Sequence, residues 1–126
     1  MPFLLVGLGG SVGCMLRYAI GLWAAAHLGA RFPYATFFIN VTGSFLLGLI
    51  GTLAAERLVA RPEELRLLLG VGFCGGFTTF STYEFENDAL LRDGELFYAA
   101  VNFGLSPLLG FMAVRFGSIL AMGWRL

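Results

Sequence analysis

Four apolar stretches, at about residues 3–26, 34–55, 65–89 and 97–122, are each long enough to cross a bilayer as a helix, and only short polar segments join them. Together they take up nearly all of the 126 residues. Hydrophobic residues make up 58% of the chain and charged ones 13%, against about 25% charged in an ordinary soluble domain. The pattern predicts an all-α integral membrane protein with four transmembrane helices, organised as one domain over residues 1–126. No soluble domain fits beside the spans.

The joints support simple reversals. Residues 27–33 hold Gly29, Arg31 and Pro33 as breakers, and Pro62 suits the start of the third helix. Trp124 and Arg125 read as an interfacial anchor. Ala24, Ala25 and Ala26 imitate a signal-peptidase site, but no basic residue precedes the apolar run and Arg17 lies inside it.

Formal charge is zero, so nucleic acid is not an expected partner. Cys14 and Cys74 have no His or Cys neighbour at metal-ligand spacing and read as small apolar packing residues. His27 stands alone in a joint and is assigned no role. The chain contains no lysine. Four crossings would put Arg57, Arg61, Arg66 and Arg125 on one face and Arg31 and Arg92 on the other, a bias compatible with a weak preference or with insertion both ways.

Small and polar residues recur every four positions: Gly9, Gly13, Arg17 and Gly21 in the first span, Asn40, Ser44, Gly48 and Thr52 in the second, Asn102, Ser106 and Gly110 in the fourth. That spacing places each set on one helical face. Such faces let helix backbones approach closely in lipid, where large apolar side chains gain nothing by leaving the acyl chains. Close packing accounts for the glycines. Arg17 and Asn40 ask for more: an ionisable residue inside a span marks a functional site by default, although a long basic side chain can also snorkel to an interface. Asn40 and Thr42 match a glycosylation acceptor, a match emptied by its place inside an apolar run.

In the third span Gly70, Gly72, Gly75 and Gly76 lead into Thr78, Thr79, Phe80, Ser81 and Thr82, and helix propensity collapses. The helix is expected to break near its middle, over Gly75 to Thr82. Irregular backbone at membrane depth needs protein or a cavity to receive its polar groups, and broken helices commonly hold ions. Donors suited to an anion are at hand in the amide of Asn40, the hydroxyls of Ser81, Thr82, Tyr83 and Ser106, and Arg17. Phe80 and Tyr83, about one turn apart, can present electropositive ring edges, although aromatics at that spacing are more often packing. Glu84, Glu86 and Asp88 follow and are expected in part at a solvated helix exit.

Three motifs resemble the Fluc (CrcB) fluoride channels over essentially the whole length. They are Gly9-Gly10-Ser11-Val12-Gly13 running to Arg17-Tyr18, Asn40-Val41-Thr42-Gly43-Ser44-Phe45-Leu46-Leu47-Gly48, and Gly72-Phe73-Cys74-Gly75-Gly76-Phe77-Thr78-Thr79-Phe80-Ser81-Thr82. The resemblance implies a passive fluoride-selective channel in a prokaryotic inner membrane. It implies an antiparallel homodimer with two pathways, and a central structural sodium ion (Na+) held by the backbone carbonyls of Gly75 and Thr78. By the same likeness Asn40, Phe80, Ser81, Thr82 and Ser106 line the fluoride path, Arg17 matches a vestibule arginine, and Glu86 an acidic position beyond the pore.

Two positions depart from the family pattern. Tyr83 stands where a second pore phenylalanine is usual, and Asn102 where a tyrosine is usual. Both are expected on the path, with conduction retained. A small proton-coupled multidrug exporter is the nearest alternative, but it needs a carboxylate in the apolar middle of a span, which the first three spans lack. A non-transporting assembly subunit would leave Asn40 and the broken helix unexplained, and no nucleophile–base pair or metal cluster suggests an enzyme.

Overall fold

The computed structural model describes residues 1–123. Proline begins two of its helices where a missing N–H is harmless: Pro2 in α1 (Pro2–His27) and Pro62 in α3 (Pro62–Leu65). Between them runs α2 (Tyr34–Ala55). Left-handed backbone makes the turns, at Gly29 (φ 78°) after α1, at Arg57 (φ 54°) and Arg61 (φ 43°) after α2, and at Gly94 (φ 76°) ahead of the last helix. At Gly29 and Gly94 the absence of a Cβ makes that geometry easy.

Past α3 the chain leaves ordinary α geometry. Arg66–Cys74 is π-helical, and α4 (Gly75–Phe77) is a single turn. Thr78 is extended (φ −88°, ψ 161°), and α5 (Ser81–Arg92) resumes before α6 (Leu96–Gly123). The break therefore falls at Thr78 to Phe80, later and shorter than the Gly75 to Thr82 expected. Gly76 stays helical, and its bare backbone serves packing: a Cβ there would meet the Gly10 carbonyl at 2.5 Å. The π-helical stretch has no compositional signature and was not expected.

Every described element is helical. Three helices, α1, α2 and α6, are long and apolar enough to cross a membrane. The fourth expected span is a bent, broken segment, and α5 with its 12 residues reaches only about 18 Å unaided. Trp124 and Arg125, the expected anchor, lie outside the described residues.

Small-residue faces organise the packing as the stripes predict. Helix α1 lies on the π-helical stretch, with Gly9 against the Leu68 carbonyl and Gly13 against Phe73 and Phe77. Helices α2 and α6 pack in parallel register, Ser44 beside Gly110, Gly48 beside Val114, and Thr52 hydrogen-bonded to Ser118 at 3.2 Å. Large apolar side chains such as Leu4, Leu8, Phe103, Phe111 and Ile119 point outward, and much of the buried core is small: Ala24, Ala54, Cys74, Ala99, Ala121. That inside-small, outside-large order is what a lipid solvent favours.

Candidate functional site

The site is built where the third segment breaks. Thr78 closes the first half, its N–H and hydroxyl both donating to the Cys74 carbonyl at 2.9 and 2.7 Å. Thr79 cannot continue the helix and turns to α2. Its N–H donates to Asn40 Oδ1 and its carbonyl accepts from Asn40 Nδ2, each at 2.9 Å. The Thr79 hydroxyl accepts from the Thr82 N–H at 3.3 Å, starting α5. Arg17 Nε, from α1, donates to the Gly76 carbonyl at 3.1 Å. Side chains from two other helices thus receive the polar groups that a break exposes at membrane depth.

The carbonyls of Gly75 and Thr78 receive no hydrogen bond among the described residues. Backbone carbonyl oxygens are hard ligands of the kind that coordinate hard cations. The residues present therefore fit the sodium ion implied by the resemblance.

Cavities flank the break. A groove of about 360 Å³ runs between α2, the break and α6, and brings together Asn40, Ser44, Thr78, Phe80, Tyr83 and Ser106. Phe80 is 75% exposed at its mouth, and its ring lies 6.1 Å from that of Tyr83 at a 45° tilt. A larger cavity of about 560 Å³ holds Arg17, Thr36, Thr82, Glu86 and Asp93. Thr79 lines both, so the Asn40–Thr79 pair sits in the wall between them. In the larger cavity one carboxylate oxygen of Glu86 is buried with no hydrogen-bond partner among the described residues.

Most of the expected path residues converge on these two spaces, with differences of detail. The Tyr83 ring lines the groove, but its hydroxyl turns toward α6 and donates to the carbonyls of Asn102 (3.0 Å) and Phe103 (2.9 Å) instead of facing an ion. Asn102 is 1% exposed and lies off both cavities, donating to Asn87 Oδ1 at 2.7 Å, while Asn87 donates to Glu84 at 3.0 Å. Ser81 is exposed and lines neither cavity. Both departures from the family pattern thus fall on one seam between α5 and α6.

Several residues of the site carried no assignment in the sequence reading. Thr79 had its signal inside the third motif, and Ser44 and Gly110 theirs in the four-residue stripes. Pro107 in the groove wall and Thr36 in the larger cavity gave none beyond their residue type. Arg115, outside both cavities, lies exposed toward the far end of α6, on the side of Arg57 and Arg61 given the parallel register of α2 and α6.

Comparison with known proteins shows the family. Residues 4–118 match the family described as CrcB-like protein, Camphor Resistance (CrcB). A fluoride-specific ion channel FluC of Chlorobium luteolum is 48% identical over 124 residues, covering 98% of this chain and 95% of that one. The protein of the same name from Chlorobium chlorochromatii is 49% identical over 118 residues, 94% of this chain and 90% of its own. That from Thermus thermophilus is 48% identical over 122 residues, covering 94% of each.

Proposed function

The chain belongs to the CrcB-like family, and on that premise we propose that it is a fluoride-specific ion channel, a multi-pass membrane protein that passes fluoride passively and is not an enzyme. The observation that carries the reading is the near-half identity to FluC relatives over almost the whole chain.

The groove chemistry suits a small hard anion. Fluoride must exchange its hydration shell for donors, and the groove offers the Ser44 and Ser106 hydroxyls and the edges of Phe80 and Tyr83 beside the Asn40 carboxamide. The N-terminal end of α5 begins at the groove, with its dipole favouring negative charge. On the other side of Thr79, Arg17 brings a positive charge to the larger cavity.

Passive flow suffices for export. Neutral hydrogen fluoride crosses a bilayer, dissociates in a less acidic interior and leaves its anion trapped. A negative-inside potential then drives the anion out with about 2.3 kcal/mol per charge per 100 mV.

The finer architecture is part of the same proposal. The chain crosses four times, the broken segment supplying the third crossing, which the parallel register of α2 and α6 supports. Two antiparallel copies pair in the inner membrane of a prokaryote through apolar outer faces and enclose two paths. The carbonyls of Gly75 and Thr78 would hold Na+, which would supply a positive charge to otherwise unpaired backbone dipoles.

The deciding experiment is anion efflux from liposomes containing only this protein, with a potassium ionophore present. Fluoride released rapidly and chloride retained is the expected result. No fluoride release from folded protein would overturn the reading.

A further inference from the structure

Helix α6 runs from Leu96 to Gly123 without interruption although Pro107 lies inside it. Proline has no N–H, so the carbonyl four residues earlier, that of Phe103, loses its intrahelical donor. At membrane depth no water is available to replace it. The Tyr83 hydroxyl lies 2.9 Å from that carbonyl and 3.0 Å from the neighbouring Asn102 carbonyl, so one phenolic proton serves the place the proline leaves open.

We propose that Tyr83 is a positioning residue of the ion groove: its hydroxyl stands in for the N–H missing at Pro107, and the bond fixes the ring edge that the groove presents. Pro107, Ser106, Phe80 and the Tyr83 ring all line that groove, so the bond joins the two walls of one space. Tyr83 is 6% exposed and its ring faces Phe80 at 6.1 Å, so a phenol tethered to α6 sets the spacing of the aromatic pair. One turn further along α5, Asn87 accepts from Asn102 at 2.7 Å, so a second bond holds α5 to α6 beside the freed carbonyl. The hydroxyl is engaged by the backbone and does not donate to the ion; the ring acts through its edge alone.

The inference rests on the channel reading for its effect on flux, but its tether is testable without it. A double-mutant cycle on the purified full-length protein compares the parent, Tyr83→Phe, Pro107→Ala and the double variant. Alanine at 107 returns the N–H to Phe103, which makes the hydroxyl dispensable. Thermal unfolding in detergent reads the tether, and fluoride flux in liposomes reads the groove. In the proline background Tyr83→Phe is expected to lower the melting temperature and to slow fluoride release about fivefold, the equivalent of one hydrogen bond. In the alanine background the same substitution is expected to change neither. An equal loss in both backgrounds, or no loss in either, would overturn the proposal. A lower melting temperature with unchanged fluoride flux would reduce Tyr83 to a brace and overturn the positioning role. A parent protein that releases no fluoride defeats the channel reading, and the melting-temperature cycle still decides the tether.

Discussion

The carboxamide of Asn40 and the backbone of Thr79 close a ring of two hydrogen bonds, 2.9 Å each, across the gap between α2 and the broken third segment. Asparagine has a donor and an acceptor side by side, as a peptide group does, and here it completes the backbone pairing that the break interrupts. The pair also forms part of the wall between the groove and the larger cavity. Structure and ion path therefore depend on one side chain.

Asn40→Ala leaves both polar groups of Thr79 unpaired and is expected to destabilise the protein by roughly 1–3 kcal/mol per group while abolishing fluoride flux. Asn40→Asp keeps the acceptor but loses the donor and adds a negative charge to the groove, so it should fold better than the alanine variant yet conduct no better. Thermal unfolding together with liposome flux checks the order. An alanine variant with parental stability would show that the ring of bonds contributes nothing.

Arg17 does two things, and they can be separated. Its Nε holds the Gly76 carbonyl at 3.1 Å, and its charge lies in a cavity shared with Glu86 and Asp93. Arg17→Gln can retain a hydrogen bond but not the charge. Fluoride flux is expected to fall most at low fluoride and low salt, with the difference from the parent shrinking as ionic strength rises. A loss independent of both would assign Arg17 to structure alone.

Glycine contacts on α1 predict a sharp contrast in stability. A Cβ at Gly13 would overlap the Phe73 carbonyl and lie 2.8 Å from the Phe77 nitrogen, whereas one at Gly7 meets nothing within 4 Å. Gly13→Ala is expected to cost about 1–3 kcal/mol through overpacking. Gly7→Ala is expected to be neutral or to stabilise by up to about 1 kcal/mol through helix propensity. Unfolding midpoints of the two variants in the same detergent test the difference.

Sodium removal should be visible without any mutation. A cation that binds only the folded state raises stability by mass action, so the melting temperature should climb with sodium and not with a bulky organic cation at equal ionic strength. Thr78→Ala keeps the carbonyl, removes only the hydroxyl that donates to Cys74, and should retain the sodium dependence. Equal melting temperatures in both salts would count against the carbonyl site.

Helix placement was legible because lipid leaves little choice: long apolar runs cross it, and small residues at four-residue spacing mark the faces that touch. The Gly9–Gly13 face on the third segment and the Ser44–Gly48–Thr52 face on α6 follow from that spacing. The π-helical turn was not legible, since its i→i+5 pairing depends on what packs against it and Gly70 and Gly72 are as common in α-helical spans. The direction of the Tyr83 hydroxyl was misread for a related reason. A tyrosine at a groove looks like a donor to the ion until Pro107, distant in sequence, is seen to leave a carbonyl open beside it.

The amino-acid sequence alone determined the solvent, the number and position of the apolar runs, and the location of the weak point in the third, because burial in lipid and helix propensity act on local composition. Only the tertiary structure decided where each polar group of that weak point goes. Asn40 reaches Thr79, Arg17 reaches Gly76 and Tyr83 reaches Phe103 across sequence separations that no local pattern encodes. Unpaired backbone in a membrane takes whichever donor the packing brings within hydrogen-bond distance.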